Sequence, residues 1–151
     1  MIRADLHIHS EYSSDGEFRV ADIVGKCAAG GVDLFSLTDH NTVRGLDEAC
    51  DGALQAGIEF VPGIEIDCSF EGTDLHLLGY GLAGDAEPLK RCLAALARAR
   101  EERAAEICRR LTRLGYPLRP EKLTCQGTVG RAHIARAMVC LLYTSDAADD
   151  K

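Results

Sequence analysis

The stretch Asp5-Leu6-His7-Ile8-His9-Ser10 alternates polar and apolar residues, and this alternation predicts a β-strand from Ile2 to His9. Side chains two residues apart on a strand point to the same side, so the imidazoles of His7 and His9 can reach one cation. This strand is the first of several predicted strands that carry polar residues with metal-binding side chains. Their order along the chain predicts both the fold and the place where the chemistry collects.

Strand-like and helix-like segments alternate over the first 80 residues. Apolar residues at helical spacing predict two helices, one from Val20 to Gly30 and one from Leu46 to Gly57. Short apolar runs predict further strands at 34–38, 58–66 and 75–80. The order β-α-β-α-β-β predicts parallel strands with crossover helices, and therefore an α/β sheet or barrel.

The sequence changes character after Gly84. Residues 87–114 form one long helical pattern that carries most of the arginines, and Gly115-Tyr116-Pro117 ends it. A loop leading into a short helix is expected at 127–138. The last residues, 143–151, show no apolar periodicity, and we expect them to continue no element.

Metal-capable residues lie on or just after four of the predicted strands. Functional residues collect at the C-terminal ends of strands in parallel α/β folds, so residues far apart in the sequence converge there. The set mixes imidazole and carboxylate, which suits manganese, zinc, iron or magnesium, and it lacks the cysteines of a structural zinc site. A cluster of such ions binds phosphate and generates a hydroxide that attacks phosphorus. The candidate ligands are His7, His9, Asp15, His40, Glu65 and His76.

Each of these motifs also has an ordinary structural interpretation. His76 between two leucines is typical of a core histidine, Asp39-His40 of a capping turn, and Asp15-Gly16 of a simple turn. Four of the five histidines nevertheless fall at or near predicted strand ends. That coincidence favours a joint metal site.

Composition excludes some functions. The chain has 24 acidic and 17 basic residues and a net charge of −7, which disfavours a protein that grips duplex nucleic acid. No apolar stretch approaches the ~20 residues of a membrane span. Seven cysteines without a CxxC motif, and no apolar run at the N-terminus, predict free thiols in the cytoplasm. Nothing in the sequence indicates an obligate protein partner.

The motifs resemble those of the PHP (polymerase and histidinol phosphatase) family. The resemblance rests on Asp5–Ser10, Ser14-Asp15-Gly16, Thr38-Asp39-His40-Asn41-Thr42, Pro62-Gly63-Ile64-Glu65 and His76, in that order. It implies a distorted (β/α)7 barrel with two or three divalent ions, manganese being favoured over zinc, iron or magnesium. It also implies that His7, His9 and Glu65 bind one metal, Asp15 and His40 a second, and His76 a third that Glu65 bridges.

The arginine-bearing helix and the segment 128–136 resemble the helical insertion of the TrpH-like branch of that family. This branch includes nucleoside 3′,5′-bisphosphate phosphatases and 5′→3′ exoribonucleases of the RNase AM type. The resemblance implies hydrolysis of nucleotide or short oligonucleotide substrates by a metal-bound hydroxide, so no side chain is assigned as the nucleophile. The candidates for binding substrate phosphate are Arg100, Arg103, Arg131 and His133.

The family draws three more ligands from a C-terminal half, in His-Pro and Asp-x-His motifs, and the chain after Gly84 contains neither. We therefore expect an N-terminal half-barrel in residues 1–84, a helical insertion in 85–140 and a non-native tail in 141–151. Such a chain would be marginally folded by itself, with exposed sheet edges and little activity.

Two other functions stay open. A histidinol phosphatase is disfavoured by the arginine-bearing insertion. A non-catalytic metal-binding or interaction module of the PHP type is disfavoured because all six expected ligands are present.

Overall fold

The structure, a computed structural model, describes residues 1–118, 123 and 129–149, with only the backbone described at 143–149. It contains five strands and four helices in these residues. In chain order they are β1 (Ala4–Ile8), α1 (Val20–Gly30), β2 (Leu34–Leu37), α2 (Leu46–Ala56), β3 (Glu59–Phe60), β4 (Gly63–Phe70), β5 (Thr73–Tyr80), α3 (Glu87–Arg113) and α4 (Arg131–Asp149).

The first three strands form a parallel sheet in the order β1-β2-β3, with α1 and α2 as the crossover helices. Both helices end where the sequence predicts, because Gly31 and Gly57 adopt the left-handed conformation, with φ of 67° and 69°. Glycine reaches that region without the steric cost of a Cβ atom. The α/β prediction is confirmed.

The hydrophobic core lies between β2 and the two crossover helices. Phe35 and Leu37 are fully buried on the strand, and α1 covers them with residues at helical spacing. Complete burial of Phe35 contributes about 1.5–3 kcal/mol relative to an exposed ring. This core fixes the C-terminal ends of β1 and β2, from which the polar residues project. The core residues of α1 are Val20, Ile23, Val24 and Cys27.

The parallel arrangement holds only for those three strands, because β4 and β5 pair as an antiparallel hairpin. Their turn consists of Glu71 and Gly72, both with positive φ, and two residues are too few for a crossover. As a result, Glu65 lies near the start of β4 and His76 in the middle of β5. The expectation that the candidate ligands collect at the C-terminal ends of strands is therefore wrong for these two residues.

A backbone bridge ties the hairpin to the end of the parallel sheet. His40 and Glu65 form an isolated parallel bridge, the Asn41 N–H donates to the Glu65 carbonyl at 2.8 Å, and the Glu65 N–H donates to the Asp39 carbonyl at 3.2 Å. These bonds place the side chains of His40 and Glu65 beside each other.

Helices α3 and α4 contact each other through a small separate cluster of Ala104, Cys108 and Ile134. Helix α3 agrees with the predicted pattern at 87–114. Helix α4 runs through Asp149, so the expectation that the residues from 143 onward continue no element is wrong. Leucine and alanine at 141–142 and 147–148 favour a helix without apolar periodicity. The predicted residues 127 and 128 lie outside the described part of the chain.

None of the helices in the described residues combines the length and the apolar character needed to cross a bilayer.

Candidate metal centre

The carboxylate of Glu65 is the centre of the site. Its side chain is 3% exposed, and three imidazole nitrogens surround it: His7 Nε2 at 2.9 Å, His9 Nε2 at 2.7 Å and His76 Nδ1 at 2.7 Å. Burial raises the pKa of Glu65, whereas the hydrogen bond with His7 and the charges of neighbouring histidines lower it. The lowering effects together are larger, so the pKa lies below its usual value. A buried but ionised carboxylate therefore faces three imidazoles.

Asp15 forms a second group with His9 and His40. Its two oxygens lie 3.1 Å from His9 Nδ1 and 3.4 Å from His40 Nε2. Ser13 positions both residues, because its hydroxyl donates to Asp15 Oδ1 at 2.6 Å and accepts the His40 N–H at 3.2 Å. Burial raises the pKa of Asp15, whereas the Ser13 bond and the two histidines lower it below its usual value.

A third group joins His40 and His76 to Asp67, a residue that the sequence analysis missed. Asp67 Oδ1 lies 2.7 Å from His40 Nδ1 and 3.8 Å from His76 Nε2. The sequence does contain a signal for Asp67. Asp67 lies two residues after Glu65 on β4, and two-residue spacing on a strand places both carboxylates on one face.

Asn41 and Arg100 hold Asp67 in place. The Asn41 side chain donates to Asp67 Oδ2 at 2.9 Å and accepts the Asp67 N–H at 3.0 Å, with Asn41 in the left-handed conformation at φ 54°. Arg100 donates from Nη2 to the same Oδ2 atom. Burial raises the pKa of Asp67, but the bond and charge of Arg100, with His40 and Asn41, lower it overall.

Asp39 is fixed on Ser10 rather than on a histidine. It is 2% exposed, and its two oxygens accept the Ser10 N–H and the Ser10 hydroxyl, each at 2.6 Å. Burial raises the pKa of Asp39 despite these bonds. The contact ties the residue after His9 to the end of β2 and so holds the first two groups together.

The donor set fits divalent cations. In each of the three groups the candidate ligand atoms lie within 4.8 Å of one another. His40 Nδ1 and Asp67 Oδ1 are buried and lie 2.7 Å apart, but they are not aligned as donor and acceptor of a hydrogen bond. Buried polar atoms without hydrogen bonds are costly, and a cation bound by both atoms would remove that cost. The structure thus brings together all six predicted ligands and adds Asp67.

Three of the four predicted phosphate-binding residues face these ligands across one cavity of about 220 Å³. Arg100, Arg103 and Arg131 line its helical side, and Asp15, His40, Asp67 and His76 line the strand side. His133 differs, because its Nδ1 accepts the Gly130 N–H at 3.0 Å. Burial and the charges of Arg136 and Arg100 lower its pKa, which favours the uncharged imidazole, a weaker partner for phosphate than an arginine.

Comparison with known proteins agrees with this geometry. The PHP domain family model matches residues 5–130. A 5′-3′ exoribonuclease from Haemophilus influenzae is 36% identical over 137 residues, which cover 89% of this chain and 50% of the relative. A 3′,5′-nucleoside bisphosphate phosphatase from Chromobacterium violaceum is 34% identical over 107 residues, or 71% of this chain and 37% of the relative.

A solved structure from Bifidobacterium adolescentis, described as a metal-dependent phosphoesterase, has a TM-score of 0.78 at 26% identity. The match covers 92% of this chain and 50% of that one. The chain spans about half the length or less of the relatives it matches. The match over most of its residues, on a site with this arrangement of histidines and carboxylates, shows that the chain belongs to the PHP domain family.

Proposed function

We propose that the protein is a metal-dependent phosphoesterase that hydrolyses phosphate esters of nucleotides or short oligonucleotides. The observation that carries this proposal is one cavity with members of the second and third ligand groups on one side and the three arginines on the other. The names of the two relatives support nucleotide substrates, either a nucleoside bisphosphate or the 5′ end of an RNA.

We assign two or three divalent ions to the site, with manganese favoured. The residues that would hold them are His7, His9, Asp15, His40, Glu65 and His76, with Asp67 added from the structure. Divalent ions bound there supply Lewis-acid polarisation of the phosphate and activation of the attacking water. Glu65 is placed to be shared between ions, because its two oxygens face different imidazoles: Oε2 faces His7 and His9, and Oε1 faces His76.

The arginines provide the positive wall of the cavity. A guanidinium group matches two phosphate oxygens with two parallel N–H donors and stabilises negative charge that develops during hydrolysis. We assign this role to Arg103 and Arg131. Arg100 already donates to Asp67, so its larger contribution is to hold that carboxylate on the third ligand group.

The first test measures metal binding by the 151-residue chain. Titration calorimetry with Mn²⁺ should show that Glu65→Gln weakens binding by at least about tenfold, the scale found for residues that only orient ligands. Asp51→Asn, on an exposed position of α2, is the matched control and should bind as the parent does. Equal Mn²⁺ affinity of the Glu65 variant and the parent would contradict the assignment.

The second test measures the release of phosphate or mononucleotide in the presence of Mn²⁺. It is run on the 151-residue chain and, separately, on the protein translated from the gene as it is read in the source DNA. Substrates are a nucleoside 3′,5′-bisphosphate, a 5′-phosphorylated short RNA and histidinol phosphate. Turnover of either nucleotide substrate supports the proposal. Preference for histidinol phosphate, or no turnover by the translated protein with metals bound, refutes it.

A further inference from the structure

A second cavity adjoins the metal centre. It has a volume of about 450 Å³ and shares four wall residues with the first cavity, namely Asp67, His76, Arg103 and Arg131. Because these side chains belong to both walls, the two cavities meet at them. Asp15 and His40 line only the first cavity, and the part of the second cavity beyond the shared residues has no role in the site described above.

The two cavities differ in size. Sites for small organic molecules generally measure about 300–1,000 Å³. The first cavity, at about 220 Å³, falls below that range, and the second falls within it. The first cavity is large enough for a phosphate group, but a whole nucleotide needs further space next to it.

Away from the four shared residues, the wall of the second cavity is mostly apolar and suits an uncharged organic group. Ile66 on β4 and Leu96 on α3 are half-buried apolar residues, and the thiols of Cys68 and Cys92 add small apolar surfaces. Asp74 also lines this cavity, and a carboxylate accepts hydrogen bonds from a base amine or a sugar hydroxyl.

We propose that this second cavity holds the nucleoside part of the substrate, the base with its sugar, while the reacting phosphate lies among the ligand groups. The inference rests on the proposed function and goes further by stating how the bound substrate is oriented. The nucleoside extends from the junction at Arg103 and Arg131 toward the surface between α3 and the β4–β5 hairpin. The two arginines then contact the phosphate where it joins the sugar.

Thiol labelling tests this placement without measuring catalysis. Cys92 is an exposed thiol in the wall of the second cavity, and Cys50 is an exposed thiol on α2 that lines neither cavity. The Mn²⁺-loaded chain is treated with iodoacetamide, and each cysteine is followed by peptide mass spectrometry. A saturating nucleoside 3′,5′-bisphosphate should slow labelling of Cys92 at least about fivefold, because ligand sites bury most of the ligand surface. Labelling of Cys50 should not change, and inorganic phosphate should protect neither thiol.

A pair of variants provides the second measurement. Leu96→Trp should fill the second cavity and raise the dissociation constant of the bisphosphate about tenfold, while that of inorganic phosphate stays within twofold, since the phosphate lies in the other cavity. Ala95→Trp, on an exposed neighbouring position of α3, is the control and should change neither constant.

The outcomes separate this inference from the proposed function. Binding of both ligands without protection of Cys92, together with normal bisphosphate binding by the Leu96 variant, overturns the nucleoside cavity and leaves the phosphoesterase proposal standing. Absence of binding of either ligand to the metal-loaded chain overturns both.

Discussion

Replacing Asp39 with alanine should destabilise the fold more than the loss of a surface carboxylate would. Asp39 is 2% exposed and accepts two hydrogen bonds from Ser10, which is fully buried. The substitution leaves a buried N–H and a buried hydroxyl without acceptors, and each such group costs about 1–3 kcal/mol.

Part of that cost is offset. Burial raises the pKa of Asp39, which means that the ionised carboxylate is itself disfavoured in the folded protein. Removing it relieves this penalty, and we expect a net loss of about 2–4 kcal/mol in the free energy of unfolding. For a chain of this length, each kcal/mol lowers Tm by about 2–4 °C, so the expected decrease is roughly 4–16 °C.

Urea unfolding followed by circular dichroism measures the effect. Asp39→Asn keeps one acceptor oxygen and should lose about half as much stability as Asp39→Ala. Asp51→Ala, on the exposed surface of α2, should remain within about 0.5 kcal/mol of the parent. If Asp39→Ala unfolds within 0.5 kcal/mol of Asp51→Ala, the bond between Asp39 and Ser10 does not hold the site together, and the reasoning is refuted.

Gly16→Ala should prevent stable folding, because a Cβ atom there would lie 1.9 Å from the Ser10 carbonyl oxygen. In Gly25→Ala, on α1, the new Cβ atom meets nothing within 4 Å, so this variant should be neutral or stabilised by up to about 1 kcal/mol. Comparing the yield and Tm of the two alanine variants checks this, and similar stabilities would contradict it. A further prediction follows from the lowered pKa of Asp67. The contribution of Asp67 to the free energy of unfolding is complete above the ordinary pKa of 3.8, and it is lost as the pH falls through the lower pKa of the folded protein. In metal-free urea titrations, Asp67→Asn should therefore lose less stability than the parent when the pH is lowered below about 5. If the stabilities of the two proteins fall in parallel with pH, the prediction is contradicted.

The sequence alone predicted the α/β class, both crossover helices and the six candidate ligands that the structure brings together. It could do so because apolar spacing and glycine stops are local signals, and because imidazole and carboxylate residues in this order indicate a metal site. His7 and His9 illustrate the point, since two-residue spacing on a strand requires no knowledge of the rest of the chain.

Only the tertiary structure decided how the pieces meet. The antiparallel pairing of β4 and β5 follows from positive φ angles at Glu71 and Gly72, which apolar periodicity does not report. The sequence predicted Arg100 as a phosphate-binding residue, and only packing showed that it donates to Asp67. Contacts of this kind join residues more than thirty positions apart, and their energy depends on burial and geometry that arise only when the chain has folded.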